Sequence, residues 1–451
     1  MMSDNNQLDE RYIRLTKAPL MPLLIKMAIP TMIGMMVNAI YNMTDTYFIG
    51  KLNRADWTAA IGVVFSYLSI IQAIGFWFGY GSGNYIARQL GKKERGEAER
   101  MAVTGFVISL AAGMILMIIS LFFIKPLALL LGAGATDEML TASISYLKII
   151  IFSVPFMLGA NVLYNQLRLQ GNARDGMIGL LAGMILNMIL DPIFILAMHQ
   201  NVAGAALATC IGQITGFLIL LCLVGKHGNV PVNFRCICIC RTYLFEIIAG
   251  GAPNFCRQGI SSLAAILLNQ AAGLYGSAVV AAIAISSRIL TMGYALVIGF
   301  GQGFQPVCAI NYGAKNYERI KKAFLYECIV ATVFLTITSI VMYLYAQPII
   351  GLFTEDKQIM EISNRILQAQ CLVWPFMGVY ILIGMLLQNI GRFLDATLVT
   401  IGESGIFFIP AILILPELWG FDGIVWAKPA AGIGALLFSV LLGIKAWKKY
   451  L

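Results

Sequence analysis

Apolar residues in this chain come in long unbroken runs. Stretches rich in Ile, Leu, Met, Phe, Ala and Gly follow one another from about residue 24 to residue 444, separated by short polar segments. A helix needs about 20 such residues to cross a hydrocarbon core of about 30 Å. The pattern predicts twelve membrane-spanning helices: 24–48, 57–86, 102–124, 141–165, 177–198, 203–224, 246–273, 278–310, 324–345, 364–388, 396–416 and 422–444. The longer runs include interfacial helix or tilt. The fold class is all-α, a polytopic membrane protein.

The second half of the pattern repeats the first. FIKPLALLLGAGATDEML (123–140) resembles YAQPIIGLFTEDKQIMEI (345–362), and SVPF (153–156) matches VWPF (373–376). LRLQGNARDGMI (167–178) matches LLQNIGRFLDAT (386–397), placing Gly171 and Asp175 on Gly391 and Asp395. IARQLGKKERGEAERM (86–101) matches CAINYGAKNYERIKKA (308–323), and the offset stays between 220 and 222. Six spans per copy is an even number, so both copies share one orientation. The expected architecture is two six-helix lobes related by a pseudo-two-fold axis along the membrane normal. Its divisions are a polar N-terminal segment 1–21, an N-lobe 22–225, a loop 226–243, a C-lobe 244–445 and a tail 446–451. Parallel repeats of this kind enclose a central site and move as lobes in alternating access.

Composition agrees. The 451 residues are 59% hydrophobic and 12% charged, about half the charge of a soluble domain. The first twenty, MMSDNNQLDERYIRLTKAPL, read as a polar lead-in and not as a signal peptide. The formal net charge of +9 is an orientation signal. Basic residues gather on one side of the spans, in Arg11, Arg14, Arg88, Lys92, Lys93, Arg235, Arg241, Lys321, Lys322, Lys448 and others. The opposite side has few, such as Lys51, Arg54 and Lys357. The positive-inside rule then puts both termini in the cytosol, in a plasma (inner) membrane. ERGEAER and NYERIKK look like solvated amphipathic loop helices. Two histidines, His199 and His227, are too few for a His-rich metal site. Cys236, Cys238 and Cys240 lack a further ligand at zinc-like spacing and read as reduced thiols. No paired catalytic motif or nucleotide loop stands out, which argues against an enzyme and against a cofactor.

Polar residues inside the spans carry the chemistry. LNMILDPIF (186–194) sets Asn187 and Asp191 on one helical face, with Pro192 following. A charge at the centre of a membrane helix costs about 2.5–3.5 kcal/mol even on the lenient insertion scale. Asp191 lies about 10 Å from the outer end of span five, and Thr209 about 9 Å into span six, at 1.5 Å per residue. Asn38, Asn42 and Asp45 share a face of span one near the same depth. In the second copy Asp45 falls near Leu268, Asn187 near Phe407 and Asp191 near Ala411. A need of the scaffold alone would have appeared in both copies. Two carboxylates with amide and hydroxyl oxygens suit Na⁺ or a stored proton. The plain alternative is a hydrogen-bonded helix clasp with Asp191 permanently protonated.

These segments resemble the multidrug and toxic compound extrusion (MATE) family. MAIPTMIGMMVNAIYNMTDTYFIGKL (27–52) is similar to its first-helix signature, and QGNARDGMIGLLAGMILNMILDPIFI (170–195) to its fourth-to-fifth. GQGFQPVCAINYGAKN (301–316) resembles the end of its eighth helix. The resemblance implies twelve helices in two lobes and antiport of organic, often cationic, compounds against Na⁺ or H⁺. It implies a cation site at Asp45, Asn187, Asp191 and Thr209. Another branch of the family uses acids on its seventh and tenth helices, and this chain has none in 252–270 or 370–389. Arg257, Gln258 and Asn269 are candidates, with Asn38 and Asn42, for the substrate cavity. Arg288 and Glu403 are candidate partners within the second lobe. A lipid-linked oligosaccharide flippase shares the architecture but calls for a more cationic cavity. The expected partners are small molecules and membrane lipid, and the expected assembly is a monomer.

Overall fold

The computed structural model describes residues 2–50, 54–198, 200–227 and 229–451, with side chains described except at 2–8, 39, 42–47, 49, 50 and 55. Among the described residues the regular structure is helical, without a strand. The first nine α-helices are α1 Met2–Lys17, α2 Leu20–Gly50, α3 Ala55–Gly91, α4 Arg95–Phe122, α5 Ile124–Leu130, α6 Asp137–Ile150, α7 Val154–Leu169, α8 Ala173–Pro192 and α9 Asn201–Leu223. The next four are α10 Arg241–Gly273, α11 Ser277–Gly313, α12 Tyr317–Leu344 and α13 Ala346–Gly351. The last four are α14 Lys357–Asn389, α15 Phe393–Ile401, α16 Phe408–Trp419 and α17 Phe421–Tyr450.

Eleven described helical stretches are long and apolar enough to cross a membrane. α10 is long enough to be the twelfth, but Asn254, Arg257, Gln258, Ser261 and Ser262 dilute its middle. The segments ERGEAER and NYERIKK are not separate loop helices. Arg95 and Tyr317 begin α4 and α12, so these charged turns are the first turns of the spans themselves. The outer faces are apolar: Ile115 of α4, Ile337 of α12 and Leu441 of α17 are each more than half exposed. In water such faces would be aggregation surfaces; against lipid they cost nothing.

The chain divides into two compact units. Unit 1 is Met1–Ala18 with Ile33–Gly251, and unit 2 is Pro19–Met32 with Ala252–Leu451. The dividing points fall inside α2 and α10, so each long helix gives one part to either unit. Within unit 2 the first part of α2 lies against α11, where Thr31 Oγ1 donates to the Gly299 carbonyl at 2.6 Å. Within unit 1 the first part of α10 lies against α3, where Trp77 Nε1 donates to the Ile248 carbonyl at 2.8 Å. Glycine makes both approaches close enough. A Cβ on Gly81 would fall 2.1 Å from the Ile247 oxygen, and one on Gly303 would fall 2.7 Å from Ala28 Cα.

The repeat persists in backbone conformation. Gly171 and Gly391, paired by the sequence offset, have φ of 84° and 83°. Lys93 and Lys315, also paired, have φ of 65° and 59° although neither is glycine. Each such turn ends one span and redirects the chain into the next, so the hairpin geometry is inherited by both units.

The N-terminal helix belongs to unit 1 and is tied down by polar contacts. Arg11 Nη1 donates to Asn229 Oδ1 at 2.9 Å, and Nη2 donates to the His227 carbonyl. Asn229 Nδ2 donates to Asp175 Oδ2 at 3.0 Å, and His227 Nδ1 lies 3.0 Å from the same oxygen. Burial pulls the Arg11 guanidinium down to about 10, still well above neutrality, so it remains charged. Arg168, a basic residue just past the end of a predicted span, is fully buried at the end of α7. Its guanidinium lies over the Tyr80 ring, 5.0 Å from the centroid, and it donates to Asn165 Oδ1 at 3.1 Å.

Candidate functional site

Two glycine pairs set the geometry of the polar heart of unit 1. α8 carries Gly179 and Gly183 and α9 carries Gly212 and Gly216, each pair spaced by four. Small residues at that spacing let helix backbones meet closely in lipid. A Cβ on Gly183 would lie 2.5 Å from the Gly212 oxygen, and one on Gly212 would lie 2.7 Å from the Gly183 oxygen. Asn187 stands one turn beyond Gly183, and Thr209 one turn before Gly212. The close approach therefore presses these two side chains together, and Asn187 Nδ2 donates to Thr209 Oγ1 at 3.1 Å. The Tyr146 hydroxyl on α6 is 3.4 Å from the same oxygen.

Asn187, Asp191 and Thr209 are each at most 1% exposed. Asn187 Oδ1 has no hydrogen-bond partner among the described residues, which is costly for an amide held away from water. A cavity of about 30 Å³ abuts the pair, with Asn187, Thr209, Tyr41 and Gln213 on its wall. That is room for a water-sized or ion-sized guest. It shares Tyr41, Met184 and Gln213 with a larger cavity of about 230 Å³. Asn38, Ser69, Gln72 and Asn161 also line the larger one, with Met157 and Met184 supplying apolar wall. Asp191 is on neither wall; it is buried one turn beyond Asn187.

Pro192 alters the helix directly after Asp191. Its missing N–H removes the bond that the Met188 carbonyl would otherwise accept. From Ile193 to Ala197 the backbone runs as a π-helix, with Met198 N–H donating to the Ile193 carbonyl at 2.8 Å. π-bulges of this kind recur at functional sites.

The structure thus brings Asn187 and Thr209 into contact, sets Asp191 beside them and puts Asn38 on the adjoining cavity. The side chains of Asn42 and Asp45, and residue His199, lie outside the described residues. In unit 2, Arg257 Nη1 donates to the Tyr294 hydroxyl at 3.1 Å, while Gln258 and Asn269 are exposed on α10. No ion pair joins Arg288 to Glu403 among the described residues. Glu403 sits in a second π-helical segment, Gly402–Phe407, facing Tyr380 and Lys428. One buried acid escaped the sequence reading altogether. Glu327 lies three residues inside the run 324–345, where an acid looks like an interfacial charge, yet its exposure is 0%.

A polytopic helical chain, built twice from one pattern and holding buried ion-type oxygens beside a cavity, has the form of a membrane transporter. The sequence model of the MatE family matches it twice, over residues 30–193 and 254–413. The chain belongs to that family, a family of transporters and not of enzymes. It is 30% identical over 439 residues to the "Multidrug export protein MepA" of Staphylococcus aureus strain MSSA476, covering 96% of each chain. A structure described as the outward-facing conformation of a multidrug resistance MATE family transporter of the MOP superfamily superposes with a TM-score of 0.90. It is 26% identical, with 97% of this chain and 98% of that chain covered. A structure of MATE in the bent conformation gives 0.90 at 25% identity, covering 97% and 98%.

Proposed function

We propose that this transporter exports small organic compounds, often cationic, in exchange for Na⁺ or H⁺ bound in unit 1. The carrying observation is Asn187, whose amide donates to Thr209 while its own oxygen, beside the ion-sized cavity, has no partner among the described residues. Asp191 supplies the negative charge one turn away, and Asp45 completes the proposed set. Two such acids with neutral oxygens suit a hard monovalent cation or a proton. Substrate occupies the larger cavity, whose amide, hydroxyl and thioether wall suits varied organic guests. That wall carries no basic side chain among its described residues, which weighs against an oligosaccharide-phosphate flippase. The export activity of the MepA relatives points the same way. The clustering of basic residues favours cytosolic termini in a plasma membrane.

The test is flux of a fluorescent organic cation in proteoliposomes under an imposed Na⁺ or pH gradient. Uphill movement under either gradient is expected. Movement that ignores both would overturn the coupling, and no movement of any organic cation would overturn the substrate class.

A further inference from the structure

Glu327 lies ten residues into α12, about 15 Å from the helix start at 1.5 Å per residue. It is 0% exposed, and neither carboxyl oxygen has a hydrogen-bond partner among the described residues. α12 packs against α11, α13 and α14. The buried titratable side chains there are Cys308 on α11 and Cys371 and Tyr380 on α14; α13 carries none. α17, whose Trp447 ring packs 5.9 Å from that of Phe324, brings Lys445 and Lys449.

The repeat shows that the scaffold does not require this acid. At the offset of 222, Glu327 corresponds to Gly105 of unit 1. There a Cβ would fall 2.6 Å from Ser82 Cβ, and Gln166 Nε2 donates to Ser82 Oγ at 3.1 Å. The counterpart of Ser82 at that offset is Phe304, and the counterpart of Gln166, at the offset of 220 that pairs Gly171 with Gly391, is Leu386; both are buried. Unit 2 has therefore lost a polar pair and gained a carboxyl group at the same level. An ionised carboxylate held with neither donor nor cation is costly enough that such groups take up a proton instead.

We propose that Glu327 is a proton-binding site of unit 2, protonated in this conformation and released to water when the packing of α11, α12 and α14 opens. The proposal rests on the reading of transport as ion-driven, and it adds a proton carrier separate from the unit 1 site. The proton comes from water and returns to it, so no other reactant is needed.

The test uses the full-length protein in lipid and has two arms. Infrared spectra across a pH titration should show the carbonyl stretch of a protonated carboxyl group near neutrality, and Glu327→Gln should remove it. In proteoliposomes Glu327→Gln should lower pH-gradient-driven flux about fivefold or more, the lower end of ordinary coupling. It should also flatten the pH profile, and Glu327→Asp should restore part of both. Absence of the band in the wild-type protein would show an ionised Glu327 and overturn the proposal. A band that Gln removes, with a wild-type pH profile, would show a permanent structural proton and overturn it equally. If the wild-type protein moves nothing under either gradient, the ion-driven reading fails, while the infrared arm still decides whether Glu327 holds its proton.

Discussion

The segment α8–α9 in unit 1 and the segment α15–α17 in unit 2 descend from one repeat, yet they hold their polar groups differently. In unit 1 the regular helix carries Asn187 and Asp191, and the π-helical stretch Ile193–Ala197 comes after them. In unit 2 the π-helical stretch Gly402–Phe407 comes first, carries Glu403, and ends on Phe407, the counterpart of Asn187. The glycine crossing of unit 1 is not kept at the corresponding positions, where Glu403 stands for Gly183 and Gly432 for Gly212. A Cβ on Gly432 would find its nearest neighbour, Val373 Cγ2, at 3.6 Å, an ordinary contact. One backbone plan therefore supports a compact pair of oxygens in one unit and an acid facing a tyrosine and a lysine in the other. Chemistry is placed by local residues on a shared frame.

The sharpest way to break this comparison is to neutralise Asp191. If unit 1 holds the driving ion, Asp191→Asn should reduce gradient-driven efflux by about 5–150-fold, the usual range of coupling between linked sites. Substrate binding and insertion should be retained. A ligand shifts two states only by its differential affinity for them, so distances between labels on the two units should then stop responding to Na⁺ and pH. A variant that transports and responds like the wild type would return Asp191 to a structural role. The same change at its counterpart, Ala411→Asn, should leave coupling in place.

Next in size is the glycine crossing. Gly183→Ala puts a methyl group 2.5 Å from a backbone oxygen that cannot swing away. Overpacking of this kind costs about 1–3 kcal/mol, and α8 can avoid it only by moving off α9, which separates Asn187 from Thr209. Thermal unfolding in detergent should show a clear loss for Gly183→Ala and almost none for Gly432→Ala. Equal losses would mean that the two crossings are alike in tightness and that the contrast between the units is overstated.

How legible these differences were in the sequence depends on what kind of signal each leaves. The spans and the repeat are carried by long runs and fixed offsets, so twelve apolar segments and the pairing of Gly171 with Gly391 could be read directly. Asn187, Asp191 and Thr209 could be picked because a polar residue in an apolar run is conspicuous and helical spacing gives its depth. The contact between Asn187 and Thr209 could not, since it depends on Gly183 and Gly212 meeting across two helices. Glu327 was invisible for the opposite reason: near a span end an acid is ordinary, and only burial by neighbouring helices makes it unusual. Division points within α2 and α10 leave no mark at all, because a continuous helix has the same composition whichever unit it packs on.

A smaller effect is expected where the repeat keeps the residue and changes its surroundings. Asp175 and Asp395 are counterparts, but Asp175 Oδ2 receives Asn229, lies by His227 and has a side chain 7% exposed. Asp395 pairs with Arg392 at 2.9 Å across one turn and is 19% exposed. Asp175→Asn should cost about 1–3 kcal/mol of stability, the range for stranding buried polar partners. Asp395→Asn should cost less than about 1 kcal/mol, as for exposed ion pairs. Denaturation of the two variants side by side measures the difference, and a reversed order would show that the network around α1 is not what secures that end of unit 1.

The smallest effect is expected at Cys236, Cys238 and Cys240, in the segment of unit 1 that leads into α10. Three thiols in five residues invite a metal or redox reading, but no group of three or more His, Cys, Asp or Glu side chains among the described residues could hold a metal ion. What fixes this segment is its backbone. Cys238 N–H donates to Thr104 Oγ1 at 3.2 Å, and Thr104 Oγ1 donates to the Cys238 carbonyl at 3.3 Å. A serine at position 238 keeps both bonds, because neither uses the thiol. The neighbouring anchor is also independent of sulfur: Tyr243 donates its hydroxyl proton to Glu97 Oε2 at 2.7 Å, and desolvation with that acceptor raises the phenol well above its ordinary range, so the donor persists at any working pH. The triple change Cys236→Ser, Cys238→Ser, Cys240→Ser should therefore leave expression, thermal stability and gradient-driven flux within the scatter of the wild type. Thr104→Val, which removes the shared hydroxyl, should lower stability by about 1 kcal/mol although it touches no cysteine. Loss of flux in the triple variant, with Thr104→Val unaffected, would locate the function of this segment in its sulfur and not in its backbone.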